Sequence, residues 1–99
     1  MCYNQFQSKT SDVSLIVEKD ENRGPLRDII MELVACSLRD KGCIDYDFYK
    51  SKTNDDRWLI YETWESEEAL KAHAETEHFK RLAPRLQELA TKTTEKFVF

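Results

Sequence analysis

The stretch Trp58-Leu59-Ile60-Tyr61-Glu62-Thr63-Trp64, running straight into Glu65-Ser66-Glu67-Glu68-Ala69-Leu70-Lys71-Ala72-His73, constrains this chain more than any other. Its first half is aromatic and aliphatic, without Gly or Pro, and reads as a strand. Its second half changes period. Ser66 suits an N-cap, Glu67 and Glu68 set negative charge against the positive end of a helix dipole, and Ala69 to Ala72 favour helix. A strand ending in Glu-x-Trp therefore feeds a helix carrying a histidine, which brings a carboxylate, an indole and an imidazole into one region.

The flanking segments extend this pattern. Asp12 to Lys19 alternates, with Val13, Leu15 and Val17 on one face and Ser14, Ile16 and Glu18 on the other, and predicts a first strand. Asp20 to Gly24 has turn composition, and Pro25 suits the first position of a helix. Leu26, Ile29, Ile30, Leu33, Val34 and Leu38 make one apolar stripe to about Asp40, closed by Gly42 as a left-handed cap. Cys43 to Ser51 reads as a second strand, with Ile44, Tyr46 and Phe48 on one side and Cys43, Asp45, Asp47 and Tyr49 on the other. The loop Lys52 to Asp56 is short enough to make the third strand, Arg57 to Trp64, antiparallel to the second. Thr76 is placed to cap a further helix with Phe79, Leu82, Ala83, Leu86, Leu89 and Ala90 on its apolar side, and Pro84 is expected to kink or restart it. Thr93 to Phe99 reads as a fourth strand. Met1 to Ser11 is polar and aperiodic and reads as an arm, in which Tyr3 and Phe6 have no assigned packing.

The order is β-α-β-β-α-β across residues 12–99. That is the split βαβ, ferredoxin-like α+β arrangement, one antiparallel sheet with its helices on one face. The other sheet face keeps apolar and aromatic side chains and is expected to meet a second copy, giving a homodimer.

Composition narrows the function classes. The chain has 99 residues and a net charge of −4, which argues against nucleic acid or anionic lipid as partner. No apolar run is long enough for a membrane span, and no signal-peptide core opens the chain, so a soluble cytoplasmic protein is expected. Cys2, Cys36 and Cys43 fit neither a disulfide framework nor a CxxC metal site. Cys43 reads as a small buried hydrophobe. Of His73, Glu77 and His78, the first two share a helical face only if the helix runs unbroken, and no further ligand is at hand, so no metal is expected. Nucleotide-binding and nucleophile-elbow glycine motifs are absent.

Gly42-Cys43-Ile44-x-Tyr46, then Leu59 to Leu70-x-x-His73, then Thr76-x-His78-Phe79 closely resemble the antibiotic biosynthesis monooxygenase domain family, over nearly the whole chain from Val13 to Phe99. The resemblance implies a ferredoxin-like monomer paired sheet to sheet as a dimeric α/β barrel. It also implies a monooxygenase that uses no flavin, metal or other cofactor and acts with O2 on electron-rich phenols or quinols. Other members isomerise small metabolites or degrade heme. The heme reading is disfavoured here, because the first strand lacks the expected Asn and Phe79 to Pro84 offers no axial His.

On this basis His73 is the candidate general base, since an imidazole titrates near neutrality. Glu62, in a strand that reads as half buried, needs a partner, and His73, Arg57, Arg81 or Arg85 would serve. Trp64, Tyr46, Phe79 and Trp58 are candidates to line an aromatic substrate pocket. Each of them is equally consistent with plain core packing. His78 reads as a surface or loop residue. A non-oxidative isomerase or small-metabolite binder on the same scaffold would use the same His73 and Glu62.

Overall fold

The aromatic strand is one of the two interior strands of the sheet. In this computed structural model, which describes Lys9 to Val98 with side chains to Glu95, it runs Arg57–Trp64 as β3. It pairs antiparallel with β1 (Lys9–Ile16) on one side and β2 (Cys43–Lys50) on the other. β4 (Thr91–Val98) pairs antiparallel with β1, giving the strand order β2-β3-β1-β4. Helix α1 (Asp20–Ser37) joins β1 to β2, and the pair α2 (Glu67–Ala74) and α3 (Glu77–Leu89) joins β3 to β4. This is the split βαβ arrangement, α+β and ferredoxin-like. Among the described residues no helix is long and apolar enough to cross a membrane.

Alternation along β3 sorts its two faces. Trp58, Ile60, Glu62 and Trp64 are buried, whereas Leu59, Tyr61 and Thr63 are half-buried on the opposite face. The buried set meets Leu15, Leu26, Ile30, Leu33, Leu82 and Leu86, which form the core with it. The opposite face carries Ile16, Tyr49, Leu59 and Tyr61 among the polar Ser14, Asp45, Asp47 and Thr63.

Several boundaries differ from expectation. β1 begins at Lys9 rather than Asp12, because its polar first residues are paired on both sides, Thr10 with Thr63 and with Phe97. The expected arm thus gives up Lys9 to Ser11 to the strand, and its remainder, Met1 to Ser8, lies outside the described residues, as does the expected strand end at Phe99. Helix α1 starts at Asp20, where Asp20 and Glu21 complement the dipole, and Pro25 lies inside it rather than at its start. Tertiary contacts hold that first turn: Asn22 Nδ2 donates to the Leu89 carbonyl at 3.3 Å, and Arg23 pairs with Asp20 and Asp56. Strict alternation puts Ile44 on the same side of β2 as Tyr46. A bulge between Cys43 and Asp45 instead turns Ile44 outward, to 54 % exposure, and sets Cys43 opposite Trp64. Pro84 does not restart α3, which is continuous from Glu77 to Leu89 with Leu82 and Leu86 buried and Pro84 on its solvent side.

Candidate active site

His73 lies on the inner face of α2, 2 % exposed. Ser66 Oγ caps the start of that helix by accepting from the Ala69 N–H at 3.1 Å. The end of the helix is set by Thr76, whose Oγ1 donates to the His73 carbonyl at 2.7 Å and accepts from the Phe79 N–H at 3.2 Å. One threonine therefore closes α2 and opens α3. The break is what lets His73 and His78 converge. Five residues apart on an unbroken helix they would point about 140° away from each other.

They converge on Asp40. Its Oδ2 lies 2.8 Å from His73 Nδ1 and 2.9 Å from His78 Nε2. Asp40 is held in the turn after α1, where its N–H donates to the Ser37 carbonyl and its carbonyl accepts from Cys43 N–H. Gly42, at φ 85°, turns the chain there, and its carbonyl accepts from the Glu65 N–H at 2.8 Å. The turn is thereby fastened to the start of α2. A carboxylate only accepts hydrogen bonds, so each neutral ring presents an N–H to Oδ2. For His73 that places the proton on Nδ1 and leaves the lone pair on Nε2. Nε2 is buried without a hydrogen-bond partner among the described residues.

Burial pushes the His73 pKa below its usual 6.5, while the hydrogen bond and charge of Asp40 pull part of the way back. The ring is neutral at pH 7, yet it has a carboxylate at hand to stabilise the cation that forms when it takes a proton. Aromatic rings pack around it. Trp64 lies 4.5 Å away centroid to centroid, Phe79 packs edge-on at 5.0 Å, and Tyr46 is tilted at 5.6 Å. Burial, then the charge of Glu62, drives the Tyr46 phenol far above its usual range, so it stays protonated.

Glu62 lies across the sheet from Tyr46 and accepts from Trp64 Nε1 at 2.7 Å through Oε1. The expected orientation of His73 by Glu62 is thus corrected. Asp40 holds the imidazole, and Glu62 holds the indole. Arg81 is engaged with Glu32 and Glu77 instead. Glu77, considered above beside His73, is turned away to that ion pair. Trp58 is also removed from the site. It sits six residues along β3 from Trp64, about 20 Å away, where its Nε1 donates to the Asp55 carbonyl and its ring packs on Phe48. His78, expected at the surface, is only 17 % exposed at its side chain and takes part in the cluster. Burial, then the charges of Glu62, Asp40 and Asp45, pushes the Cys43 thiol up to about 11, which fits the small-hydrophobe role and not a nucleophile.

The rings of Trp64, Phe79 and Tyr46 pack directly against the imidazole. A groove of about 310 Å³ runs along α3 between Ala74, Phe79, Lys80, Ala83, Pro84 and Gln87. Phe79 belongs both to that groove and to the packing around His73, so one side chain separates the imidazole from it. Asp40 is the residue that sequence reasoning missed. A signal existed. An acid just past the C-terminus of a helix opposes the dipole, and a local conflict of this kind points to a tertiary partner.

Comparison with known proteins bears on the family and the fold. The sequence model of one family, antibiotic biosynthesis monooxygenase, matches residues 18–85. A solved Bacteroides thetaiotaomicron protein of unknown function, described as a possible oxidoreductase, is 39 % identical with a TM-score of 0.91, covering 95 % of this chain and 99 % of its own. SnoaB, a cofactor-independent oxygenase from Streptomyces nogalater, superposes with a TM-score of 0.84 over 94 % of this chain and 93 % of its own. At 15 % identity that likeness is one of fold. The uncharacterised Synechocystis protein sll1783 is 34 % identical over 59 residues, or 60 % of this chain. The match spans 40 % of that relative's length.

Proposed function

This chain belongs to the antibiotic biosynthesis monooxygenase family, and from that premise we propose that it is a cofactor-independent monooxygenase of a small electron-rich phenol or quinol, with His73 as general base. The observation that supports this is the state of the imidazole: buried, neutral, fixed through Nδ1 by Asp40, and carrying an unpartnered Nε2 lone pair. For a substrate ring to reach that lone pair from the groove along α3, Phe79, which lines the groove and packs on His73, has to swing aside.

The chemistry follows from the substrate. Nε2 takes the phenolic proton, and the Asp40 carboxylate stabilises the imidazolium. The phenolate passes one electron to O2, and the radical pair joins at a ring carbon to give a peroxide. The imidazolium returns its proton to the distal oxygen. Loss of the ring hydrogen as a proton then breaks the O–O bond, leaving a quinone carbonyl and one water. Both atoms of O2 are accounted for, and the substrate supplies every electron. The protein's part is deprotonation, orientation and exclusion of water. The sheet face bearing Ile16, Tyr49, Leu59 and Tyr61 supports pairing with a second copy as a homodimer.

The test is oxygen uptake with a panel of naphthols and hydroquinones, wild type against His73→Gln, with the variant's fold checked by thermal melting. Removing a general base lowers turnover by about 10²–10⁴. Equal rates would take His73 out of the mechanism. Substrate conversion without oxygen consumption would move the assignment to a proton-shifting isomerase on the same base.

A further inference from the structure

We propose that Asp40, His73 and His78 also form a binding site for one divalent transition-metal ion of the zinc class, with Asp40 Oδ2, His73 Nδ1 and His78 Nε2 as ligands. The sequence alone did not offer this site, because its third ligand lies in the turn after α1. The fold supplies it. The ligand atoms of the three residues all lie within 4.8 Å of one another. Two imidazole nitrogens and one carboxylate oxygen are a donor set that suits zinc, nickel and copper over magnesium or calcium.

The geometry asks for a side-chain adjustment and no change of backbone. Ligand atoms at about 2.0–2.2 Å from a tetrahedral zinc stand about 3.3 Å apart. The two nitrogens now lie 2.8 and 2.9 Å from Oδ2, so each of those contacts needs to open by about 0.4 Å, while the two nitrogens, within 4.8 Å of each other, settle to the same spacing by rotation of the partly exposed His78 ring. The three ligands come from three segments, the turn after α1, the last turn of α2 and the first turn of α3, whose positions are set by Gly42 and Thr76 rather than by the ion. The site is closed on one side and reachable on the other. The His73 side chain is 2 % exposed, whereas those of His78 and Asp40 are 17 % and 14 % exposed. An ion can enter from the His78 side and keep a water in its remaining position.

Occupancy has a chemical consequence, which rests on the function proposed above. A metal on Nδ1 displaces the proton that now sits there, and the neutral ring must carry it on Nε2 instead. The lone pair assigned to substrate deprotonation is then lost. The ion acts as an inhibitor of the base, competing with the hydrogen bond from His73 to Asp40.

The experiment is calorimetric titration of the tag-free full chain with zinc, and of the same chain with cobalt read by its visible absorption. The chain holds two histidines, so histidine-dependent binding reports on this cluster. The expected result is one ion per chain, with affinity reduced at least about tenfold in both His78→Gln and Asp40→Asn. Absence of binding at millimolar metal, or affinity unchanged in both variants, overturns the site. Oxygen uptake is measured on the same samples. Zinc bound through His78 and Asp40 without inhibition of turnover leaves the site standing and overturns the base role of His73. Turnover that persists where no metal binds overturns the site alone.

Discussion

Gly42→Ala is the substitution whose effect can be worked furthest from the structure. Gly42 has φ 85°, and a Cβ built there would lie 2.6 Å from the Ala69 Cβ and 3.4 Å from Glu65 Oε2. A left-handed conformation costs an L residue about 1–2 kcal/mol. Forcing a methyl into a filled contact costs about 1–3 kcal/mol. Against these stands about 0.4–1 kcal/mol from the reduced freedom of the unfolded chain. The net is a loss of about 3 kcal/mol, which at about 5 °C per kcal/mol for a domain of this size lowers Tm by about 15 °C. The assay is a denaturant series and a thermal melt, with Gly24→Ala as control. Gly24 lies inside α1 with nothing beyond its chain neighbours within 4 Å of a built Cβ, and because the Pro25 ring crowds a preceding Cβ and offsets the helical gain of alanine, that change should stay within about 0.5 kcal/mol. Since the Gly42 turn carries Asp40 against His73, the first variant should also lose turnover out of proportion to its folded fraction. A loss below about 1 kcal/mol would mean that the turn relaxes freely, and that Asp40 is not positioned by its fastening to α2.

Three further outcomes are expected. Unfolded histidine titrates near 6.5 and buried His73 titrates lower, so below pH 6.5 the unfolded chain binds the extra proton. The stabilising contribution is complete above that pH and is lost as pH falls, so the urea midpoint should drop from pH 7.5 to 5.5 less steeply in His73→Gln than in wild type. Thr76→Ala removes the cap of α3 and the bond to the His73 carbonyl, and should cost about 1–2 kcal/mol by denaturant titration, while raising the exposure of His78 in hydrogen-exchange or photo-oxidation footprinting. Cys43, with its thiol pushed up to about 11, should react with a disulfide reagent at pH 8 far more slowly than the unfolded chain does.

The fold was legible where the local signals agreed. β3 has the bounds its aromatic run predicts, and the Ser66 and Thr76 caps do what their residue types suggest. It was less legible where tertiary pairing overrides composition. Lys9 to Ser11 become strand because β3 and β4 flank them, and Asp20 to Gly24 become helix because Asn22 and Arg23 find partners in distant segments. No periodicity announces the bulge that turns Ile44 outward. At the site, His73, Trp64, Tyr46 and Phe79 were readable from the strand–helix junction and the family resemblance. The exchange of partners, Asp40 for His73 and Trp64 for Glu62, was not. It depends on the position of a turn more than thirty residues upstream of His73, which sequence spacing does not encode. Trp58 resembles Trp64 in sequence, and only the sheet separates two strand residues of like character by their depth along the strand.

The proposed chemistry requires a neutral His73 ring with its proton on Nδ1 facing Asp40 and its lone pair on Nε2. Long-range proton–nitrogen NMR of the imidazoles, recorded at pH 7.5 in chelator-treated buffer, measures this directly. The expected result is the Nδ1–H tautomer for His73 and a midpoint below 6.5 on acidification, with the tautomer preference weakened in Asp40→Asn. A His73 ring found as the Nε2–H tautomer, or titrating above 6.5, would contradict it.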